Sequence, residues 1–154
     1  MTYTFDICLK SRQLLERLIK NHTTEELNTI PEGFNNNIIW NIGHSIATQQ
    51  LLTYGLSGLN PKLDMAFIDR YRKGTKPEGL VTQEEVAQMH TLLFTTLAEL
   101  QEDYEAGLFK DFKEYTLSTT GGTLTKVGEA LEFNNYHEGL HLGCVIQLSK
   151  LVKK

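Results

Sequence analysis

Four stretches of this chain repeat their apolar side chains every three or four residues, and none alternates them every second residue. The sequence therefore supplies the faces of a helical bundle and no strands for a sheet. Over residues 5–20, Phe5, Cys8, Leu15 and Ile19 share one helical face. A short turn capped by Thr24 is expected next. A second long helix should open at Asn36 or Asn37, because an asparagine side chain satisfies the free amides of a first turn, and run to about Tyr54. A third opens at Thr82, which with Glu85 forms a capping box, and carries Val86, Met89, Leu93, Leu97 and Leu100 to about Tyr104. The fourth is expected over residues 124–151. Four long helices and two long connections, 56–80 and the segment after Gly107, predict an all-α, mostly antiparallel four-helix bundle with its long connections near one end. Residues 56–80, rich in Gly, Pro and charge, are expected to run back along the bundle and cover something.

A chain of 154 residues can bury one core, so a single domain over 1–154 is expected. Its 40% hydrophobic and 22% charged residues argue against disorder and fibrous structure. With a net charge of -4 and scattered lysines and arginines there is no footprint for nucleic acid, and no such partner is expected. No apolar run approaches membrane-spanning length and the N-terminus lacks the pattern of a secretory leader, which predicts a cytoplasmic protein without membrane contact. Cys8 and Cys144 stand far apart, fit a reducing compartment, and are expected as buried thiols.

The fourth helix breaks the apolar pattern at its centre. Val127, Ala130, Val145 and Leu148 fall on the stripe of His141, and so do Asn134 and His137, with Glu138 slightly further round. An apolar core does not accept two imidazoles, an amide and a carboxylate unless something satisfies them. Two readings fit the histidine pair alone: hydrogen-bonded core histidines, or metal ligands. The second long helix repeats the motif, with His44 at its middle and Trp40 and Asn41 on its face. Facing helices can bring His44, His137 and His141 around one divalent ion, leaving a coordination position for water or substrate. His22, in a polar linker, is expected in solvent, and His90 lies on or beside the apolar face of the third helix.

His137, Glu138 and His141 also spell H-E-x-x-H, the string of zinc peptidases. Such enzymes take their third ligand downstream, and the thirteen residues after His141 hold no Asp, Glu or His. A third ligand must come from upstream, which argues against a peptidase. Glu138 is nevertheless a candidate base or a carboxylate supporting the ligands, with an interhelical hydrogen bond as the plainer role. Cys144 is expected to pack on a neighbouring helix, with Gly139 and Gly143 allowing close approach.

The runs "IPEGFNNNIIWNIGHSIATQQLL" and "LTKVGEALEFNNYHEGLHLGCVIQL", together with "FIDRYRKGTKP" in the long connection, resemble the DinB-like superfamily of small four-helix bundles. The resemblance implies one divalent metal, nickel or zinc, on His44, His137 and His141, and a homodimer, for which the leucines of the third helix offer a surface. The superfamily includes enzymes that use low-molecular-weight thiols, such as bacillithiol S-transferases and mycothiol-dependent isomerases. The expected function is thus a metal-dependent thiol S-transferase or small-molecule hydrolase acting on a small molecule, with a low-molecular-weight thiol as cosubstrate in the first case. Asn41, Asn134 and Trp40 are expected around the ligands. The rival is a metal-binding or stress-related dimeric protein without turnover; an ion in an open site facing a pocket favours the enzyme, a closed one the rival.

Overall fold

The computed structural model describes residues 2–153. Its long helices are α1 (Thr2–Lys20), α3 (Ile38–Gln50), α5 (Gln83–Glu105) and α6 (Val127–Val152), with the short helices α2 (Thr24–Asn28) and α4 (Met65–Tyr71) in the connections. Strands β1 (Tyr115–Thr116) and β2 (Thr123–Leu124) pair antiparallel ahead of α6. The expected bundle is present, and several boundaries differ from expectation. Thr23, not Thr24, caps α2, its hydroxyl accepting from the Glu26 amide while Glu26 reaches back. Asn37 caps α3. Residue 124 belongs to β2 and α6 begins at Val127, because Gly121 and Gly122 let the chain turn into a hairpin closed by Leu117 N–H to Gly122 O at 2.8 Å. Gly121 takes φ +73°, a left-handed conformation that other residues adopt only with strain. The predicted end of α3 near Tyr54 holds, but its last turn, Leu51–Gly55, is π-helical, with Leu56 N–H reaching five residues back to Leu51 O.

Helices α1 and α3 each pack on both α5 and α6. Their polar contacts give the directions. Thr4 meets Asn135 and His22 meets Ser149, so α1 and α6 run parallel. Arg12 meets Thr96 and Glu16 meets His90, so α1 and α5 are antiparallel. Asn41 meets His141 while Leu52 packs with Ala130, which makes α3 and α6 antiparallel. The expectation of a mostly antiparallel bundle is corrected accordingly: the order is up, down, down, up. The connection from α3 to α5 must therefore travel the length of the bundle, and α4 is the part of it packed on α3.

The α5 residues Val86, Met89, Leu93, Leu97 and Leu100 are all core, which removes them as a dimer surface. Apolar clusters occupy the bundle on either side of its centre: Leu15, Ile42, Ile46, Leu93 and Leu148 in one, Phe5, Cys8, Tyr54, Leu97 and Leu131 in the other. Between them lies a buried ion pair. Arg12 and Glu138 are both 0% exposed, with Nη2 donating to Oε1 at 2.7 Å and Nε to Oε2 at 3.2 Å. Arg12 Nη1 also donates to Leu93 O at 2.8 Å and Thr96 Oγ1 at 2.9 Å, so α1, α5 and α6 are joined at one point. Burial opposes the charge on Arg12, and the carboxylate of Glu138 beside it more than offsets this, so its pKa is raised. Among the described residues, no helix is long and apolar enough to cross a membrane.

Removing one member of such a pair leaves the other charged in the core. Arg12→Met is expected to lower unfolding free energy by about 3–5 kcal/mol, and Arg12→Met combined with Glu138→Leu to recover much of it. Guanidinium melts of the two variants check this; a single-variant loss below about 1 kcal/mol would show that the pair does not hold the helices.

Candidate metal centre

Because α3 and α6 are antiparallel neighbours, the middle of one faces the middle of the other. His44 from α3 meets His137 and His141 from α6, with ring centroids 5.1 Å and 4.7 Å away, and the α6 pair are 4.5 Å from each other. One ligand atom from each of the three lies within 4.8 Å of the others, a group that can hold a metal ion.

The second nitrogens are the ones that fix the rings. His44 Nδ1 lies 2.7 Å from the carbonyl of Tyr71, at the end of α4, and must donate to it. His141 Nδ1 lies 2.8 Å from Asn41 Oδ1. The orientation of Asn41 is independently set, since its Nδ2 donates to Asn37 O at 2.7 Å and Asn36 Oδ1 at 3.0 Å, leaving the oxygen for the histidine. Both rings therefore carry a proton on Nδ1 and present the Nε2 lone pair. His137 differs: its Nδ1 is buried and has no hydrogen-bond partner among the described residues. An orphaned imidazole nitrogen is costly in a core, and an ion bound through this nitrogen would compensate for it. Trp40 stacks on His44, with centroids 4.8 Å apart and planes 9° from parallel, and donates from Nε1 to Thr75 Oγ1 at 3.2 Å.

The electrostatics suit lone-pair donors. Burial, and then the neighbouring His44, push His137 down to about 4. Burial, His137 and His44 push His141 down to about 3, against a smaller opposing effect of Glu138. His44 is lowered by burial, with the Tyr71 carbonyl working the other way. All three are held unprotonated near neutral pH, the form a metal requires.

Gly43 explains how α4 reaches His44. A Cβ at this position would lie 2.6–2.8 Å from the ring carbons of Tyr71, so only glycine lets that ring lie against α3 and bring its carbonyl onto the imidazole. The triad borders a cavity of about 550 Å³, whose walls include Thr48, Leu51, Leu52, Leu56, Leu117 and Phe133. The π-helical turn provides one wall and the hairpin another, which gives the second long connection a role the sequence did not reveal.

The other candidates fall elsewhere. Glu138 faces α1, and both of its oxygens are engaged: Oε1 by Arg12 and by Asn134 Nδ2 at 2.9 Å, Oε2 by Arg12 and by the Cys8 thiol at 3.5 Å. Asn134 sits with it in the core instead of beside the histidines. The reason is that α6 has two buried neighbours, so residues 134 and 138 turn to α1 while 137 and 141 turn to α3. Cys8 is buried as expected, and burial, followed by Glu138, raises its thiol pKa, keeping it protonated. Cys144 is exposed, against expectation, and Gly139 and Gly143 have open space around them instead of a packed helix. His22 is half-buried, with Nδ1 2.6 Å from Leu18 O, and His90 contacts Glu16 at 2.8 Å, so neither joins the triad. Arg12, Tyr71 and the hairpin were not anticipated. Arg12 alone had a signal, because positions 5, 8, 12, 15 and 19 form one heptad stripe with a charge at its centre.

A helical bundle with a histidine triad open to a cavity is the class of protein that the fold and this centre define. Residues 9–145 match the model of the DinB superfamily, and the chain belongs to that superfamily. The crystal structure of the conserved protein of locus from Enterococcus faecalis is similar in fold, with a TM-score of 0.60 at 19% identity over 98% of this chain and 95% of that one. No curated protein matches the chain.

Gly43→Ala should push α4 from α3, loosen the Nδ1 bond of His44, and weaken divalent-metal binding about 10–100-fold with modest loss of stability. Metal titration by calorimetry checks it, and unchanged affinity would remove Tyr71 as the support of this ligand. The pKa shifts give a pH prediction for chelator-treated protein. Between about pH 6.5 and 5 the unfolded histidines take up protons that the folded ones refuse, so stability should fall as acid is added. Carboxylates such as Glu85 and Asp103, held below their usual range, contribute only at lower pH. Urea midpoints at pH 7 and pH 5 should differ in wild type and differ less in His137→Gln; a flat wild-type profile would contradict the buried neutral triad.

Proposed function

We propose that this chain is an enzyme that holds one divalent ion, nickel or zinc, on His44, His137 and His141 and turns over a small molecule by thiol transfer or hydrolysis. The observation that carries this reading is the opening of the triad onto a cavity of about 550 Å³, a size suited to a small substrate. A purely structural site would be closed by a fourth protein ligand. Bound there, a divalent ion supplies the positive charge that lowers the pKa of a thiol or water and makes a nucleophile available near neutral pH.

The protein's own part is orientation and exclusion. Tyr71 O and Asn41 Oδ1 keep two imidazoles in the tautomer that offers Nε2. Leu51, Leu52, Leu56, Leu117 and Phe133 form an apolar wall that limits water around the reacting groups. The Thr48 hydroxyl, 3.4 Å from His44 Nε2, is a group able to hold or pass a proton at the cavity wall. Glu138 is not free to act as a base, because Arg12 occupies it, and this argues against the peptidase reading of H-E-x-x-H.

Calorimetric metal titration tests the ligand set. His44→Ala should weaken binding by more than about 100-fold, whereas His22→Ala and His90→Ala should leave it near wild type. Wild-type affinity and stoichiometry in His44→Ala would overturn the site. Metal returned to stripped protein should also create a rate with a thiol plus electrophile, or with an activated ester or amide; metal binding without any such rate would favour the non-catalytic alternative.

A further inference from the structure

The cavity bordered by the triad is apolar over most of its wall, yet one cation lines it. Lys73 is the only charged residue among those lining it, and no carboxylate accompanies it. Its neighbours in "DRYRK" are differently placed: Arg70 pairs with Glu85 at 2.7 Å and Arg72 with Asp69 at 3.1 Å. Among the described residues Lys73 makes no ion pair, and its one hydrogen bond runs from Nζ to the Ser118 hydroxyl on the hairpin. An ammonium has three donors, so two remain for a ligand.

The backbone that carries Lys73 is fixed relative to the triad. Thr75 N–H donates to Arg72 O at 3.2 Å, closing a tight turn whose third residue, Gly74, has φ +89°. Lys73 is the second residue of that turn. The turn is fastened to α3 on both sides: Tyr71 O holds His44, and Thr75 Oγ1 accepts from Trp40 Nε1. The segment that orients a metal ligand thus also presents a free cation to the same cavity. Ser118 and Thr119 add hydroxyl groups beside it.

We infer that the substrate is an amphiphilic small molecule, with an apolar body along the Leu52, Leu117 and Phe133 wall and an anionic head, such as a carboxylate or sulfonate, bound by Lys73 and Ser118. This rests on the reading of the cavity as the substrate site. A neutral molecule of the same shape would leave the ammonium without a counter-charge, and an anionic one gains a charge-assisted hydrogen bond.

Two fluorescent probes of nearly equal body separate these terms: anilinonaphthalene sulfonate and its uncharged counterpart phenylnaphthylamine. Both are titrated into the 154-residue chain, metal-loaded and chelator-treated. Wild type should bind the sulfonate roughly fivefold more tightly than the neutral probe, the modest factor appropriate to a partly solvated charge pair. Lys73→Met should abolish that preference by weakening the sulfonate alone, and Lys73→Arg should retain it. Metal affinity should be unchanged in Lys73→Met, and chelator treatment should leave the probe preference in place. The inference is overturned if Lys73→Met keeps the preference, if it weakens both probes alike, or if the preference disappears with chelator, which would locate the anion at the metal. Failure of metal binding with the Lys73-dependent preference intact would count against the metal reading alone.

Discussion

The bond between Arg12 and Glu138 sets the rotation of α6 within the bundle. Successive residues of a helix point about 100° apart, so a carboxylate locked toward α1 places His137 and His141 on the adjoining flank, where α3 lies. A buried ion pair is weak evidence for net stability, since an apolar substitute of the same shape can serve as well. Its value here is directional. An all-leucine centre would let α6 roll by part of a turn without losing much, whereas a fork of hydrogen bonds to Glu138, Leu93 O and Thr96 does not tolerate that motion.

The triad is supported from the other side by a second set of fixed contacts. Asn41 and the carbonyl of Tyr71 each accept from a histidine, and the asparagine is itself held by Asn37 O. Every residue of "WNIGH" has a physical reason to be there: Trp40 stacks, Asn41 orients, Ile42 packs in the core, Gly43 admits an aromatic ring and His44 presents its lone pair. The Nδ1 of His137 is the one ring nitrogen of the triad that is fully buried without a partner among the described residues.

Periodicity made the four long helices legible, and capping chemistry located one start at Thr82 and narrowed another to Asn36 or Asn37, of which Asn37 is the cap. The histidines were legible because polar residues interrupted apolar stripes on two helices. What stayed hidden depends on which neighbour each helix face meets. Asn134, His137, Glu138 and His141 look like one polar patch when α6 is drawn alone, and they divide in two once α1 and α3 flank it. The parallel pairing of α1 with α6 was equally hidden, because helix direction depends on how the long connections travel. A backbone carbonyl such as Tyr71 O leaves no trace in residue identity, and Gly43, its indirect sign, reads alone as an ordinary glycine.

The stack of Trp40 on His44 gives this protein a built-in optical channel, since Trp40 is its single tryptophan. Quenching of an excited indole by a partly filled d shell falls steeply with distance, and here the indole is in contact with a ring of the triad. Zinc, with a filled shell, offers no such pathway, while nickel does. The chain's own ultraviolet emission therefore distinguishes closed-shell from open-shell occupants at that position, without a label and without a chemical readout.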